Sequence, residues 1–150
     1  MQNQKNEMVV QFNGVEENIP FARAVVGAFF SQMDPTIEEL ADVKTAVSEA
    51  VTNAVVHAYS EHNGAVEVLC RIQPEMFEIT VTDWGCGIED IDRAMQPFFT
   101  TGRADERSGM GFSVMQAFMD DLAVESCLER GTVVRMMKKI KSKGTGDSVE

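Results

Sequence analysis

Between residues 37 and 83 the apolar period changes once, and that change limits what the chain can become. Ile37, Leu40, Val43, Val47, Val51, Ala54 and Val55 recur at helical spacing as far as about His57. Past the polar turn at 61–64, Val66, Val68, Cys70 and Ile72 alternate with Glu67, Leu69, Arg71 and Gln73. The alternation resumes at Phe77, Ile79 and Val81 after Pro74-Glu75. Two strands joined by so short a turn pair antiparallel, because a parallel pair needs a long crossover. The helix start is also marked. Pro35 follows Asp34, and Thr36 stands three residues before Glu39, the spacing of a capping box.

The flanking segments extend this pattern. Residues 8–12 are short and apolar, as in an edge strand. Residues 15–33 carry Ile19, Ala22, Val25, Val26, Phe29 and Phe30 near helical spacing, and Asp34-Pro35 stops them. Residues 84–108 hold Gly85, Gly87, Pro97 and Gly102, with a short helix expected near 89–95. A connection of that length in a compact domain usually carries function. Gly109-Met110-Gly111 opens a helix over 112–119, and 122–128 with 132–137 form a last hairpin. From Lys138 the chain is basic, then Gly/Ser-rich, and a disordered tail is expected. The order β-α-α-β-β-loop-α-β-β predicts a two-layer α/β sandwich with helices on one sheet face.

At 150 residues the chain is long enough for one core. Its formal net charge of −11 argues against nucleic acid as a direct ligand, since phosphate backbones need a basic footprint. No apolar run approaches the roughly 20 residues of a membrane span. Residues 1–7 lack the apolar centre of a signal peptide. A cytoplasmic setting is expected, with no membrane partner. Cys70, Cys86 and Cys127 are odd in number and lack metal-site spacing, so reduced thiols are expected.

Three segments carry chemistry. Glu49, Asn53 and His57 stand at i, i+4 and i+8, on one helical face. A carboxylate there can serve as a general base, and an amide oxygen suits Mg²⁺. The plainer alternative is the polar face of an amphipathic helix. However, Val47, Ala50, Val51, Ala54, Val55 and Val56 surround the stripe, and polar groups amid so much apolar surface are costly unless they face a site or cleft. Asp83-x-Gly85-x-Gly87 ends a strand. Its glycines allow close backbone approach, and its carboxylate can accept the exocyclic amine of adenine, although an ordinary turn has the same spelling. Ser108-Gly109-Met110-Gly111 precedes a helix, whose free N–H groups bind phosphate well; it could equally be a simple hinge. Arg103 and Arg107 in the same connection could clamp a γ-phosphate or be solvated. Arg23, on the first helix, reads alone as a solvated charge.

Taken in order, Glu-x-x-x-Asn, Asp-x-Gly-x-Gly and a helix-opening Gly-x-Gly resemble the GHKL (Bergerat-fold) ATP-binding superfamily. Ser48-Glu49-Ala50-Val51-Thr52-Asn53-Ala54, Pro97-Phe98-Phe99-Thr100-Thr101 and Glu106-Arg107-Ser108-Gly109-Met110-Gly111-Phe112 narrow the likeness to its anti-sigma-factor serine kinases. The resemblance runs from about residue 8 to 139. It implies one ATP-binding kinase domain over 1–139, with a mixed, mainly antiparallel sheet, followed by a tail at 140–150. It also implies bound ATP and Mg²⁺, a homodimer, a sporulation sigma factor as sequestered partner, and a small anti-anti-sigma protein as serine substrate. On matching positions, Glu49 would be the base and Asn53 the Mg²⁺ ligand. Asp83 would recognise adenine, with Gly85 and Gly87 shaping the pocket. Thr100 to Gly111 would form a lid over the phosphates, with Thr100, Thr101, Ser108, Gly109, Met110 and Gly111 at cofactor-binding positions and Arg107 on the γ-phosphate. Arg23 would grip protein partners. Two other activities stay open: a nucleotide-gated binding protein without significant kinase activity, and an ATPase without a protein acceptor.

Overall fold

The computed structural model describes residues 5–58, 64–95 and 111–140, with His57 and Ala58 described in backbone only. Its elements are β1 (Asn6–Asn13), α1 (Ile19–Phe30), α2 (Ile37–Thr52), a π-helical segment (Asn53–Ala58), β2 (Ala65–Gln73), β3 (Met76–Asp83), α3 (Ile91–Ala94), α4 (Gly111–Phe118), β4 (Asp121–Cys127) and β5 (Gly131–Lys139). The strands form one sheet in the order β1-β2-β3-β5-β4. All four ladders are antiparallel. Among the described residues the sheet is therefore antiparallel throughout, where a mixed, mainly antiparallel one is expected from sequence.

Alternation decides which face the helices cover. Val66, Val68, Cys70 and Ile72 of β2, Phe77, Ile79 and Val81 of β3, and Val134 and Met136 of β5 are buried on one face. They join Ala22, Val26 and Phe30 of α1, Val43, Val47 and Val51 of α2, and Met115 of α4 in a single core. The opposite face mixes apolar residues such as Val9 and Leu69 with ion pairs in solvent. Arg71 Nε lies 3.0 Å from Glu7 Oε2, and Arg135 Nε lies 3.6 Å from Glu78 Oε2. A face that already pairs its charges in solvent does not attract a second layer of helices. Burial pushes the Cys70 thiol up to about 12, so it stays protonated and behaves as a small apolar side chain.

The local signals hold where they depend on neighbours in sequence. The capping box forms: Thr36 Oγ1 accepts from the Glu39 N–H at 3.0 Å, and the Thr36 N–H donates to Glu39 Oε1 at 2.8 Å. Asp34 takes the left-handed conformation that ends the α1 region, with φ 57°. Three expectations change. Ile37 is 87% exposed, and the stripe that joins the core begins at the partly buried Leu40 and the buried Val43. The second helix reaches residue 58, but its winding is π rather than α from Asn53 onward. Lys138 and Lys139 lie in β5, not in a tail, and Ile140 is buried, its N–H donating to the Glu75 carbonyl at 3.1 Å. The rest of the expected tail, 141–150, lies outside the described residues.

Phe77 sits where the layers meet. It is fully buried and its ring centroid lies 4.5 Å from that of Phe30 and 6.4 Å from that of Phe29. Phe77→Ala should destabilise the fold by about 3–5 kcal/mol, read as a lowered midpoint in urea. A loss under about 1 kcal/mol would mean that the α1–sheet contact is not a main source of stability.

Candidate functional site

The candidate site residues fall into two groups, built by different elements. One group belongs to α2. The α-helical register carries from Glu49 to Asn53, so both side chains share a face and both are half-buried. The Asn53 N–H is shared between the carbonyls of Ala50 and Glu49, and the winding widens immediately after it. Interruptions of this kind are concentrated at functional sites. His57 lies in the widened segment, and its side chain is outside the described residues.

The first residue of α4 meets this face. A methyl group on Gly111 would stand 3.2 Å from Asn53 Oδ1, 3.3 Å from Asn53 Nδ2 and 3.4 Å from Glu49 Oε1. The glycine lets the N-terminus of α4 sit directly on the carboxylate and amide of α2. The structure thus brings Glu49, Asn53 and Gly111 together, although Gly111 lies about sixty residues further along the chain.

The other group lies where β3 stops. Strand alternation places Asp83 on the same face as Phe77, Ile79 and Val81, and it is buried, 7% exposed. Its Oδ1 accepts the Gly85 N–H at 2.9 Å, and the Thr132 backbone also hydrogen-bonds to it. Burial raises the Asp83 carboxyl above the ordinary carboxylate range, and these two backbone bonds partly offset the rise. Gly131, with φ 127°, makes this possible. A methyl group there would fall 2.0 Å from the Asp83 carbonyl oxygen, a hard overlap. A methyl group on Gly87, at φ 82°, would stand 2.5 Å from the Cys127 carbonyl oxygen. Gly85 is buried and tied to Asp83, and it does not take a left-handed conformation.

A polar row crosses the sheet at this level. The ladders align Val66, Asp83, Thr132 and Ser126. Ser126 Oγ accepts the Ile88 N–H at 2.7 Å, donates to the Gly131 carbonyl at 3.1 Å, and lies 2.8 Å from Thr132 Oγ1. With the Ser126 proton on Gly131, Thr132 donates to Ser126 and its oxygen can still accept. Sequence reasoning leaves Thr132 out of the site. The available signal is parity, since Thr132 alternates with Val134 and Met136 and must share their face.

Arg23 stands apart from both groups yet near the first. Its Nη1 lies 3.3 Å from the Ser48 hydroxyl, and Ser48 directly precedes Glu49. Thr100, Thr101, Arg103, Arg107, Ser108, Gly109 and Met110 lie outside the described residues.

The donor set fits a magnesium nucleotide. Among the described residues no group of three or more His, Cys, Asp or Glu side chains could hold a metal alone. A cation at Asn53 would depend on ligand phosphates and water for most of its coordination, which is how Mg²⁺ is usually held.

Residues 13–138 match the histidine kinase-like ATPase domain family. The anti-sigma F factor of Caldanaerobacter subterraneus subsp. tengcongensis is 54% identical over 135 residues, covering 90% of this chain and 94% of that one. This chain belongs to the anti-sigma F factor family. Another member, from Geobacillus thermodenitrificans, is 51% identical over 141 residues, 93% of this chain and 97% of its own. Solved structures agree in fold. The RsbU and RsbW domains of a Mycobacterium tuberculosis protein superpose with a TM-score of 0.65 at 16% identity, over 90% of this chain and 32% of that longer one. The catalytic domain of histidine kinase ThkA gives 0.58 at 15% identity, over 89% of this chain and 96% of its own. The fold of this family member is thus a GHKL-type ATP-binding fold.

Asp83 provides a pH signature. Between the ordinary carboxylate range and its raised value, the folded chain holds this proton more tightly than the unfolded chain. The contribution of Asp83 to stability therefore falls as pH rises through that window. Urea unfolding of the unmutated protein and of Asp83→Asn at stepped pH should show the unmutated protein losing stability relative to the variant across it. A difference that rises with pH would contradict the burial of the carboxylate.

Proposed function

We propose that this protein binds Mg²⁺–ATP between the Asp83 end of the sheet and the N-terminus of α4. In this reading it phosphorylates a serine of a small anti-anti-sigma protein and sequesters a sporulation sigma factor of the sigma-F type. It works as a homodimer in the cytoplasm. The observation that carries the reading is the packing of Gly111 on Asn53 and Glu49. It puts an amide that can bind a metal, a carboxylate and the N–H end of a helix within one contact of each other. A binding module needs the amide and the helix end, but it does not need a carboxylate there. The names of the curated relatives support the sigma-factor partner, and the family domain supports ATP as the cofactor.

The roles divide along the site. Asp83 accepts the adenine amine, backed by Thr132, while Gly85 and Gly87 let the backbone close round the base. Asn53 holds Mg²⁺, which supplies charge neutralisation to the phosphates when bound. The N–H groups from Ser108 through Gly111 cradle the phosphates, with Met110 between the two glycines. Thr100 and Thr101 line the lid, and Arg107 compensates charge on the γ-phosphate. Glu49 orients the partner's serine hydroxyl and takes its proton, one helical turn from the metal ligand. Much of the rate comes from positioning rather than bond chemistry at the protein. Arg23 grips the partner. Its tether to Ser48 sets a guanidinium, a common interface anchor, one residue from the base.

Two measurements test this. Glu49→Gln should lower serine phosphorylation of a purified anti-anti-sigma partner by about 100-fold or more, mapped by mass spectrometry, while ATP affinity stays within about twofold. Full phosphorylation by this variant would remove Glu49 as base, and no phosphoserine from the unmutated protein would favour a nucleotide-gated binder. Arg23→Glu should weaken the sigma-factor complex by about tenfold or more, with ATP affinity unchanged; an intact complex would displace the partner surface from α1.

A further inference from the structure

Helix α4 touches the site at one end only. Gly111, its first residue, lies against Glu49 and Asn53. Phe118, its last, offers its carbonyl oxygen to Lys138 Nζ at 2.7 Å. The same ammonium stands 3.1 Å from Asp42 Oδ2. Asp42 is on α2, about two turns before Glu49. Asp42, Ala46, Glu49 and Asn53 follow at i, i+4, i+7 and i+11, one face of α2. Helices α2 and α4 therefore run antiparallel, with the candidate site at one end of their contact and Lys138 at the other.

The lysine is well placed to hold that far end. The side chains of Lys138 and Asp42 are 13% and 21% exposed, so solvent screens the pair less than it would a surface pair. A cation on the last carbonyl of a helix also complements its dipole. The neighbouring backbone closes the other side of the junction. Asp120 Oδ2 accepts the Lys139 N–H at 2.7 Å, and the Asp120 N–H donates to the Met137 carbonyl at 2.8 Å. The end of α4 is thus clasped to both α2 and β5.

We propose that Lys138 and Asp42 are positioning residues for the nucleotide phosphates. Their clasp on the Phe118 carbonyl sets where α4 lies along its own axis. That sets where Gly111 presents the free N–H groups of the helix beside Asn53. Neither residue touches the site; both act through α4. A slip of one residue along a helix moves its end by about 1.5 Å, enough to misplace donors aimed at a phosphate. The proposal rests on the nucleotide reading above.

The test compares the full-length unmutated protein with Lys138→Met, Asp42→Asn, the double variant and Lys138→Arg. Affinities for Mg²⁺–ATP and for adenosine, which has no phosphate, are measured at a temperature where each variant is folded. Lys138→Met and Asp42→Asn should each weaken ATP binding about fivefold, yet change adenosine binding by less than about twofold, since the base is read at Asp83, off α4. The double variant should be no weaker than the worse single one, because the two residues act as one unit. Lys138→Arg keeps a cation and should retain ATP affinity. If Lys138→Met does not fold, Asp42→Asn carries the comparison. Equal losses for ATP and adenosine, or unchanged ATP affinity beside a lowered melting temperature, would make the clasp purely structural and overturn the proposal. If the unmutated protein binds ATP and the variants match it, only the clasp fails. If the unmutated protein does not bind ATP, the nucleotide reading fails and takes the clasp with it.

Discussion

Helix α2 is under two opposed demands, and the rest of the molecule is arranged to satisfy both. Val43, Val47, Ala50 and Val51 are at most 2% exposed. Burying each valine is worth about 1.5–3 kcal/mol, so rotating the helix would forfeit more than any polar contact could return. Its orientation is therefore fixed by its apolar side. Asp42, Glu49 and Asn53, with the buried Ala46 among them, have to go wherever that orientation sends them, and α4 is the element they meet. On another side, α1 comes close because Gly27 accepts the aliphatic stem of Lys44, with carbons 3.2 Å from where a methyl group would be.

The strand end is held by a different kind of constraint, close backbone contact. Asp83 cannot remain where it is unless position 131 lacks a side chain. That contact, the two backbone bonds to the carboxylate and the Ser126–Thr132 hydroxyl pair make the end of the sheet stiff and polar. The two groups of candidate site residues thus obey separate rules. One is fixed by apolar burial in a helix, the other by sterics between two strands.

How much of this was readable from the chain depends on how local each cause is. The capping box at Thr36, the turn at Pro74-Glu75 and the alternation of β2 and β3 need only neighbouring residues, and the sheet layout follows from them. The contact between Gly111 and Asn53 joins distant segments, and no periodicity announces it; only the ordered motif set brought those residues into one expectation. The π winding after Thr52 has no signature in a run of alanine and valine that also suits an α-helix. Composition alone reads Lys138 and Lys139 as the start of a solvated tail, whereas both lie in β5. Strand parity would have continued β5 through them. The same parity would have added Thr132 to the candidate site beside Asp83.

The row Val66–Asp83–Thr132–Ser126 has a consequence for folding itself. The neighbouring row on this face, from Val68 through Val81 and Val134 to Val124, is aliphatic throughout and closed over by helices. The polar row instead offers directional acceptors that no core side chain requires. A flat molecule with an amine edge and an apolar body would finish the layer as a side chain finishes it elsewhere. If such a ligand binds there, as proposed above, it would be a non-covalent piece of the interior, and its concentration would enter the folding equilibrium by mass action.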